Sequence, residues 1–368
     1  MRQEARKHPI AVAVGKGVDV NVVVIGAGQA GLSASYFLRH YGVSHVLLDG
    51  AAGAGGAWQH RWPSLRLGKV HGIHDLPDFP LGKPDSERPA SEVVAEYFAA
   101  FESANSLPVI RPVRVTSVRE NGDGRLLVVT DRGSWVARAV VNATGTWERP
   151  FWPHYPGQSS FLGRQLHTAG YHGPEEMAGK RVVVVGGGAS ATQALAEISL
   201  VAASTTWVTR RPPVWREGPF KEQDGRDAVA LVDERVRAGL PPISVVGVTG
   251  LGVTPDVAEA RARGVMERLP MFSRVVPDGV VWADGRHVEA DVILWATGFR
   301  AALDHLAPLR LRAPGGGILM DGTRVVVDPR VHLVGYGPSA STVGATRAGR
   351  AAAREVRDLL SKQAVSAA

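Results

Sequence analysis

Short apolar runs rich in β-branched residues recur along the 368-residue chain: Val22-Val23-Val24-Ile25, Val46-Leu47-Leu48, Val182-Val183-Val184-Val185 and Val292-Ile293-Leu294-Trp295. Runs this short, without polar alternation, suit strands covered on both faces, as in a parallel sheet. Helical stretches are predicted between them, from about Gln29 to His40 and from Ala189 to about Leu200, and Gly42 is placed to end the first. Two hairpins are expected as well. Leu126–Val129 turns at Asp131-Arg132-Gly133, and Gly279–Trp282 turns at Asp284-Gly285. From Trp215 to Arg274 no motif is legible; two amphipathic helices are predicted there, over 225–238 and 255–267. They fit a lid over a ligand site, and they fit plain packing equally.

Glycine-rich turns follow two of the runs. In Gly26-Ala27-Gly28-Gln29-Ala30-Gly31 the first glycine permits the tight turn. Gly28 lets the backbone approach a pyrophosphate, and Gly31 lets the helix pack on the strand. The helix N-terminus then faces the phosphates with free N–H groups and partial positive charge. Asp49 closes the next strand about 20 residues past Gly28, where a carboxylate accepts from a ribose 2′-hydroxyl. The second turn is Gly186-Gly187-Gly188-Ala189-Ser190-Ala191, with Ala191 in the third glycine's place. At the end of its next strand, Thr206–Thr209, no acid appears; Arg210 and Arg211 follow instead. A guanidinium binds a 2′-phosphate that a carboxylate would repel, so NADPH is expected over NADH. Solvated surface charges are the alternative. One such turn is weak evidence, but two in strand–turn–helix context imply two dinucleotides, a flavin (FAD) reduced by a nicotinamide.

Two further segments look alike: Val140-Val141-Asn142-Ala143-Thr144-Gly145, and Val292–Trp295 followed by Ala296-Thr297-Gly298. Each is expected to end a strand and return the chain from one dinucleotide domain. A last strand, Val331–Val334, leads into Gly335, Tyr336 and Gly337, and a helix start near Gly344 should bring the chain back to the flavin. The repetition predicts an α/β fold of two Rossmann-like domains, the NADPH domain inserted into the FAD domain. The expected limits are an extension over 1–20, a FAD domain from 21–155 and 290–368, and an NADPH domain over 156–289. Gly50, then Gly53-Ala54-Gly55-Gly56-Ala57-Trp58, should lie close against the flavin, with Leu67 and Val113. The aromatic stretch Trp58–Leu67 could cover one side of its ring. Arg66 is a candidate to stabilise negative charge there, or a surface ion pair. Trp58, Trp62, Trp147, Phe151 and Trp152 are pocket candidates that could equally be core.

Composition narrows the classes. Hydrophobic residues make up 45% and charged ones 21%, ordinary for a globular protein. No apolar run reaches the ~18 residues of a membrane span. The basic leader lacks the apolar core of a signal peptide, so a cytoplasmic location is expected. Net charge is +7, but the arginines are scattered and no nucleic-acid module is visible; attraction of a polyanionic cofactor explains the balance. With no cysteine, dithiol–disulfide reduction, thiolate metal sites and cysteine nucleophiles are excluded. The 12 histidines show no ligand spacing, so no metal is expected.

Between the two glycine turns, Phe161-Leu162-Gly163-Arg164-Gln165-Leu166-His167-Thr168-Ala169-Gly170-Tyr171 fits the Phe-x-Gly-x-x-x-His-x-x-x-aromatic pattern of class B flavoprotein monooxygenases. From about Val22 to Gly349 the chain resembles a short, bacterial-type flavin-containing monooxygenase. The resemblance implies bound FAD, NADPH as reductant, and a C4a-(hydro)peroxyflavin that oxygenates a nitrogen or sulfur nucleophile of a small molecule, with O2 as co-substrate. Baeyer–Villiger relatives oxidise ketones on the same scaffold; against them, Tyr171 is followed by His172 rather than Pro or Asp. An oxidase or reductase that inserts no oxygen is the other alternative. His167 and Tyr171 of this pattern, with Arg66 from the stretch after Trp58, are the catalytic candidates, although His167 reads better as a residue fixing the connection between domains. No motif matches the catalytic arginine of the Baeyer–Villiger relatives. The oxidant belongs to the cofactor, so no acid–base dyad is required. A homodimer is one assembly this class allows.

Overall fold

The apolar runs become the central strands of two sheets. The fold is described from a computed structural model, over residues 17–70, 73–216, 218, 222–243 and 248–367. Among these residues the first sheet holds β1 (Val18–Ile25), β2 (His45–Leu48), β3 (Val109–Ile110), β4 (Val115–Glu120), β5 (Leu126–Thr130) and β6 (Gly133–Asn142). The second holds β7 (Arg164–His167), β8 (Arg181–Val185) and β9 (Ser204–Thr209). A small parallel pair follows, β10 (Trp215–Arg216) and β11 (Leu251–Gly252). β12 (Arg268–Pro270) joins the second sheet at its edge. β13 (Arg274–Val276), β14 (Gly279–Val281) and β15 (His287–Glu289) form an antiparallel sheet of their own. β16 (Val292–Trp295) returns to the second sheet, and β17 (Met320–Asp321), β18 (Arg324–Val325) and β19 (Val331–Leu333) complete the first.

In the first sheet the order is β17-β18-β19-β6-β1-β2-β3, with the β4–β5 hairpin paired on β6. The second is parallel throughout, in the order β12-β9-β8-β16-β7. Helices α1 (Gln29–His40), α2 (Ala90–Ala104), α3 (Ala189–Ile198), α4 (Glu222–Arg237), α5 (Pro255–Ala262) and α6 (Thr342–Ala367) surround them. The continuous apolar runs are explained by two covered faces. Val22 and Val24 pack with Leu32 and Leu38 of α1 and Val356 of α6, whereas Val23 and Ile25 face Val128, Trp135 and Leu333. Likewise Val182 and Val184 meet Leu195 and Val257, while Val183 and Val185 meet Phe272 and Trp282.

Three expectations change. The limit at 289/290 is displaced: β16 pairs with β7 and β8, so the second unit extends through Trp295 before the chain returns. The expected extension over 1–20 lies outside the described residues up to 16, and Val18–Val20 already belong to β1. The second amphipathic helix ends at Ala262, short of Glu267, because Gly264 takes φ +78° and the chain turns into β12. The other, α4, forms over Glu222–Arg237.

Candidate functional site

Each glycine turn is locked by the same contacts. The Gly26 N–H donates to Leu48 O (2.7 Å), and the Ala143 N–H to Ile25 O (2.7 Å). In the second unit the Gly186 N–H donates to Val208 O (2.9 Å), and the Ala296 N–H to Val185 O (2.8 Å). Gly26 has φ +99°, and a Cβ there would lie 2.6 Å from Ala143 O; Gly186 has φ +140°, with Ala296 O at 2.1 Å. Only glycine fits either place. A Cβ on Gly28 or Gly188 would instead meet nothing within 4 Å. These two residues cap α1 and α3 with no side-chain hydrogen bond. The N–H groups of Gln29, Ala30 and Gly31 in α1, and of Ala189 and Ser190 in α3, stay free for an anion, while the Ala191 N–H donates to Gly188 O (3.0 Å). Both cradles therefore fit a pyrophosphate.

A cavity of about 380 Å³ opens at the first turn. Gly26, Gly28, Gln29, Ala30, Asp49, Gly50, Gly56, Ala57, Trp58, Val113, Ala143, Thr144, Gly145 and Gly335 all line it. Gly56, at φ +53°, lies so close that a Cβ would meet the Gly28 Cα at 2.8 Å. The Asp49 carboxylate is held from behind. Arg111 donates to it through Nε (3.2 Å) and grips Glu102 with both terminal nitrogens (2.6 and 2.8 Å). That fork leaves Asp49 buried yet turned to the cavity, where a ribose hydroxyl would donate to it. Gly31 supports the turn from outside the cavity; its Cβ would run into Gly26 O.

Other candidates fall elsewhere. Arg66 and Leu67 do not line the cavity. The Arg66 backbone bridges to Pro89, and Leu67 packs on the core of the second unit. Tyr336 is buried behind Gly335, and Gly344 sits inside α6, so neither lines the cavity. Tyr171 is 1% exposed and donates to Glu197 Oε1 (2.7 Å), which replaces the expected catalytic role with a structural one. Trp62, packed edge-on against Tyr171, is core. Arg210 and Arg211 are exposed at the end of β9, carry no ion pair among the described residues, and are anchored by the Thr209 hydroxyl donating to Arg211 O (2.7 Å).

His167 stands where the two units join. The segments after Gly145 and Gly298 run side by side: the Phe151 N–H donates to Gly298 O (2.9 Å), and the Arg300 N–H to Arg149 O (2.8 Å). The Ala302 N–H donates to Gly145 O (2.9 Å). His167 Nδ1 accepts from the Ala169 N–H (3.1 Å), which places its proton on Nε2, donated to Gly298 O at 3.0 Å. Burial pushes the imidazole below its ordinary value, so it is a neutral clamp. Trp152 tilts over it and Phe299 meets it edge-on.

Several site residues carried no sequence signal of their own. Arg61 lines the cavity with its guanidinium 4.9 Å from the Trp147 ring and 5.7 Å from that of Trp58. It has no carboxylate partner among the described residues, and burial pushes its pKa down; an anionic ligand in the cavity would supply the missing counter-charge. His60 stacks on Trp147, which stacks on Phe299. His305, at the cavity wall, lies 2.7 Å from Asn142 Oδ1; burial pushes its pKa down to about 4, which keeps it neutral near pH 7. Arg61 shares the aromatic stretch Trp58–Leu67 with Arg66, and nothing in the sequence tells the two apart.

With the duplicated cradles in place, comparison with known proteins defines the class. Residues 23–222 match the pyridine nucleotide-disulphide oxidoreductase family, and the chain belongs to it. A solved flavin-containing monooxygenase from Stenotrophomonas maltophilia is 42% identical, covering 93% of this chain and 99% of its own, with a TM-score of 0.81. The chain is thus a class B flavin-containing monooxygenase, an enzyme class that works with FAD and NADPH. Indole-3-pyruvate monooxygenase YUCCA1 of Oryza sativa is 26% identical over 310 residues, covering 76% of each chain. A Baeyer–Villiger monooxygenase of Streptomyces coelicolor is 27% identical over 337 residues, 76% of this chain and 64% of that one. The absence of cysteine separates this member from the disulfide chemistry in the family's description. Among the described residues no helix is long and apolar enough to cross a membrane, and no cluster of metal-binding side chains occurs.

Proposed function

We propose that this chain consumes NADPH and O2 to oxygenate a nitrogen or sulfur centre of a small molecule. The observation that carries this reading is the duplicated cradle, Gly26 against Ala143 and Gly186 against Ala296, with paired connections between. The first-turn N–H groups of α1, Asp49 and Arg61 would hold the flavin dinucleotide; those of α3, with Arg210 and Arg211, would hold NADPH. A bound flavin, once reduced, supplies the oxygen-activating chemistry. The protein's share is to orient the two dinucleotides and keep water out. Trp58, Trp147 and His60 form the aromatic wall, and neutral His167 donates to Gly298 of one connection and packs under Trp152 of the other, bracing the pair that their own backbone bonds hold together. No side chain is required to take a substrate proton.

The test is coupling. A panel of a thioether, a tertiary amine and a cyclic ketone, with NADPH consumption, product and hydrogen peroxide measured together, should give oxygenated product from the thioether or amine. Lactone from the ketone alone would favour Baeyer–Villiger oxidation, and peroxide without product would overturn the monooxygenase reading. The two arginines give a separate prediction. Arg210→Ala should raise the KM for NADPH about tenfold while leaving that for NADH within about twofold, since only the 2′-phosphate loses its partner. Equal effects on both nucleotides would remove the arginine from phosphate recognition.

A further inference from the structure

Behind the cavity wall, the two units meet at a carboxylate. Glu197, in the last turn of α3, accepts from the Ser64 hydroxyl through Oε2 (2.8 Å) and from the Tyr171 hydroxyl through Oε1 (2.7 Å). Ser64 belongs to the loop that carries Trp58 and Arg61 at the cavity wall; Tyr171 ends the Phe161–Tyr171 pattern. Nearby, Gln193 Nε2 donates to Lys69 O (3.3 Å), and Lys69 pairs with Asp256 of α5 at 2.5 Å. Ser64, Lys69, Gln193, Glu197 and Asp256 line a small cavity of about 30 Å³. Trp62 covers the group by packing on Tyr171.

The geometry assigns Glu197 as a positioning residue that ties the nucleotide-binding helix to the flavin-covering loop. This rests on reading Gly188 as the NADPH pyrophosphate site. One ten-residue helix carries the phosphate cradle at its start and Glu197 near its end. An α-helix this short behaves as a rigid rod about 15 Å long. A nucleotide that seats the N-terminus of α3 therefore also seats Ser64, and with it the segment of Trp58 and Arg61. Two hydroxyls donating to one carboxyl, largely out of water, hold a single geometry, and loss of the acceptor leaves both hydroxyls unpaired. Neither Ser64 nor Glu197 touches the large cavity, so the effect passes through the loop and not through contact with a reactant.

The experiment uses FAD-loaded enzyme and compares Glu197→Ala, Glu197→Gln, Ser64→Ala and Tyr171→Phe. Glu197→Ala should raise the KM for NADPH about five- to tenfold and divert several-fold more of the consumed NADPH to hydrogen peroxide, in the range of ordinary site-to-site coupling. Its FAD content and its reduction by dithionite should match the parent. Glu197→Gln keeps an acceptor and a donor for the two hydroxyls and should restore both quantities to within about twofold of the parent. Should Glu197→Ala not fold, the Ser64→Ala/Tyr171→Phe double variant removes the same two hydrogen bonds and should move KM and coupling the same way. A lowered melting temperature with unchanged KM and coupling, or a Glu197→Gln variant as impaired as Glu197→Ala, overturns the assignment. Failure of the NADPH reading itself would show in the parent enzyme, as a flavin that NADPH does not reduce.

Discussion

Gly26→Ala should give a protein that purifies without yellow colour. The new methyl group would sit 2.6 Å from Ala143 O, a backbone atom fixed by the Ala143 N–H bond to Ile25 O, and the residue would have to hold φ +99°. Neither a rotamer change nor a side-chain shift relieves that clash, so the turn must open and the free N–H groups of α1 swing off the phosphates. FAD affinity should fall at least about 100-fold, close to 3 kcal/mol. Flavin fluorescence titration of the apo-protein measures this. Bound FAD at parental stoichiometry and affinity would contradict the assignment of the first cradle.

Gly186→Ala makes the complementary case. Its methyl group would lie 2.1 Å from Ala296 O at φ +140°. The damage is confined to the second unit, because Gly186 is hydrogen-bonded to Val208 and Trp207 of β9 and lies against Ala296, with no bond to the first sheet. The variant should stay yellow and accept electrons from dithionite, yet need about 100-fold more NADPH to reach half-maximal rate. Loss of FAD together with NADPH would mean that the two cradles do not act as separate sites.

The contrast between what the sequence makes legible and what it hides has a physical cause. Strand–turn–helix units are local, so Val22–Ile25, Gly26–Gly31 and α1 follow from neighbouring residues alone, as do Val182–Val185, the second turn and α3. Asp49 and Ala143–Gly145 reach the cavity because a parallel sheet brings strand ends to one edge. The boundary after β16 was not legible, since a strand of four apolar residues fits either sheet and only pairing decides. Residues that act across distance were hidden too. Arg111 reaches back to Asp49, and Glu197 meets Ser64 from another unit; no spacing rule links such positions. Arg66 misled because proximity in sequence to Trp58 did not carry it to the cavity, whereas Arg61 in the same stretch arrives there. Tyr171 fits a pattern whose aromatic position, in this chain, serves burial and a hydrogen bond to Glu197.

The central claim is that two dinucleotides occupy separate cradles close enough for electrons to pass from one to the other. Anaerobic titration of the purified yellow protein with NADPH tests it most directly. Stoichiometric loss of the oxidised flavin absorbance in the parent, absent at the same NADPH concentrations in Gly186→Ala but recovered there with dithionite, is the predicted result. A parent protein that stays yellow under excess NADPH, or that is colourless and takes up no FAD, contradicts it.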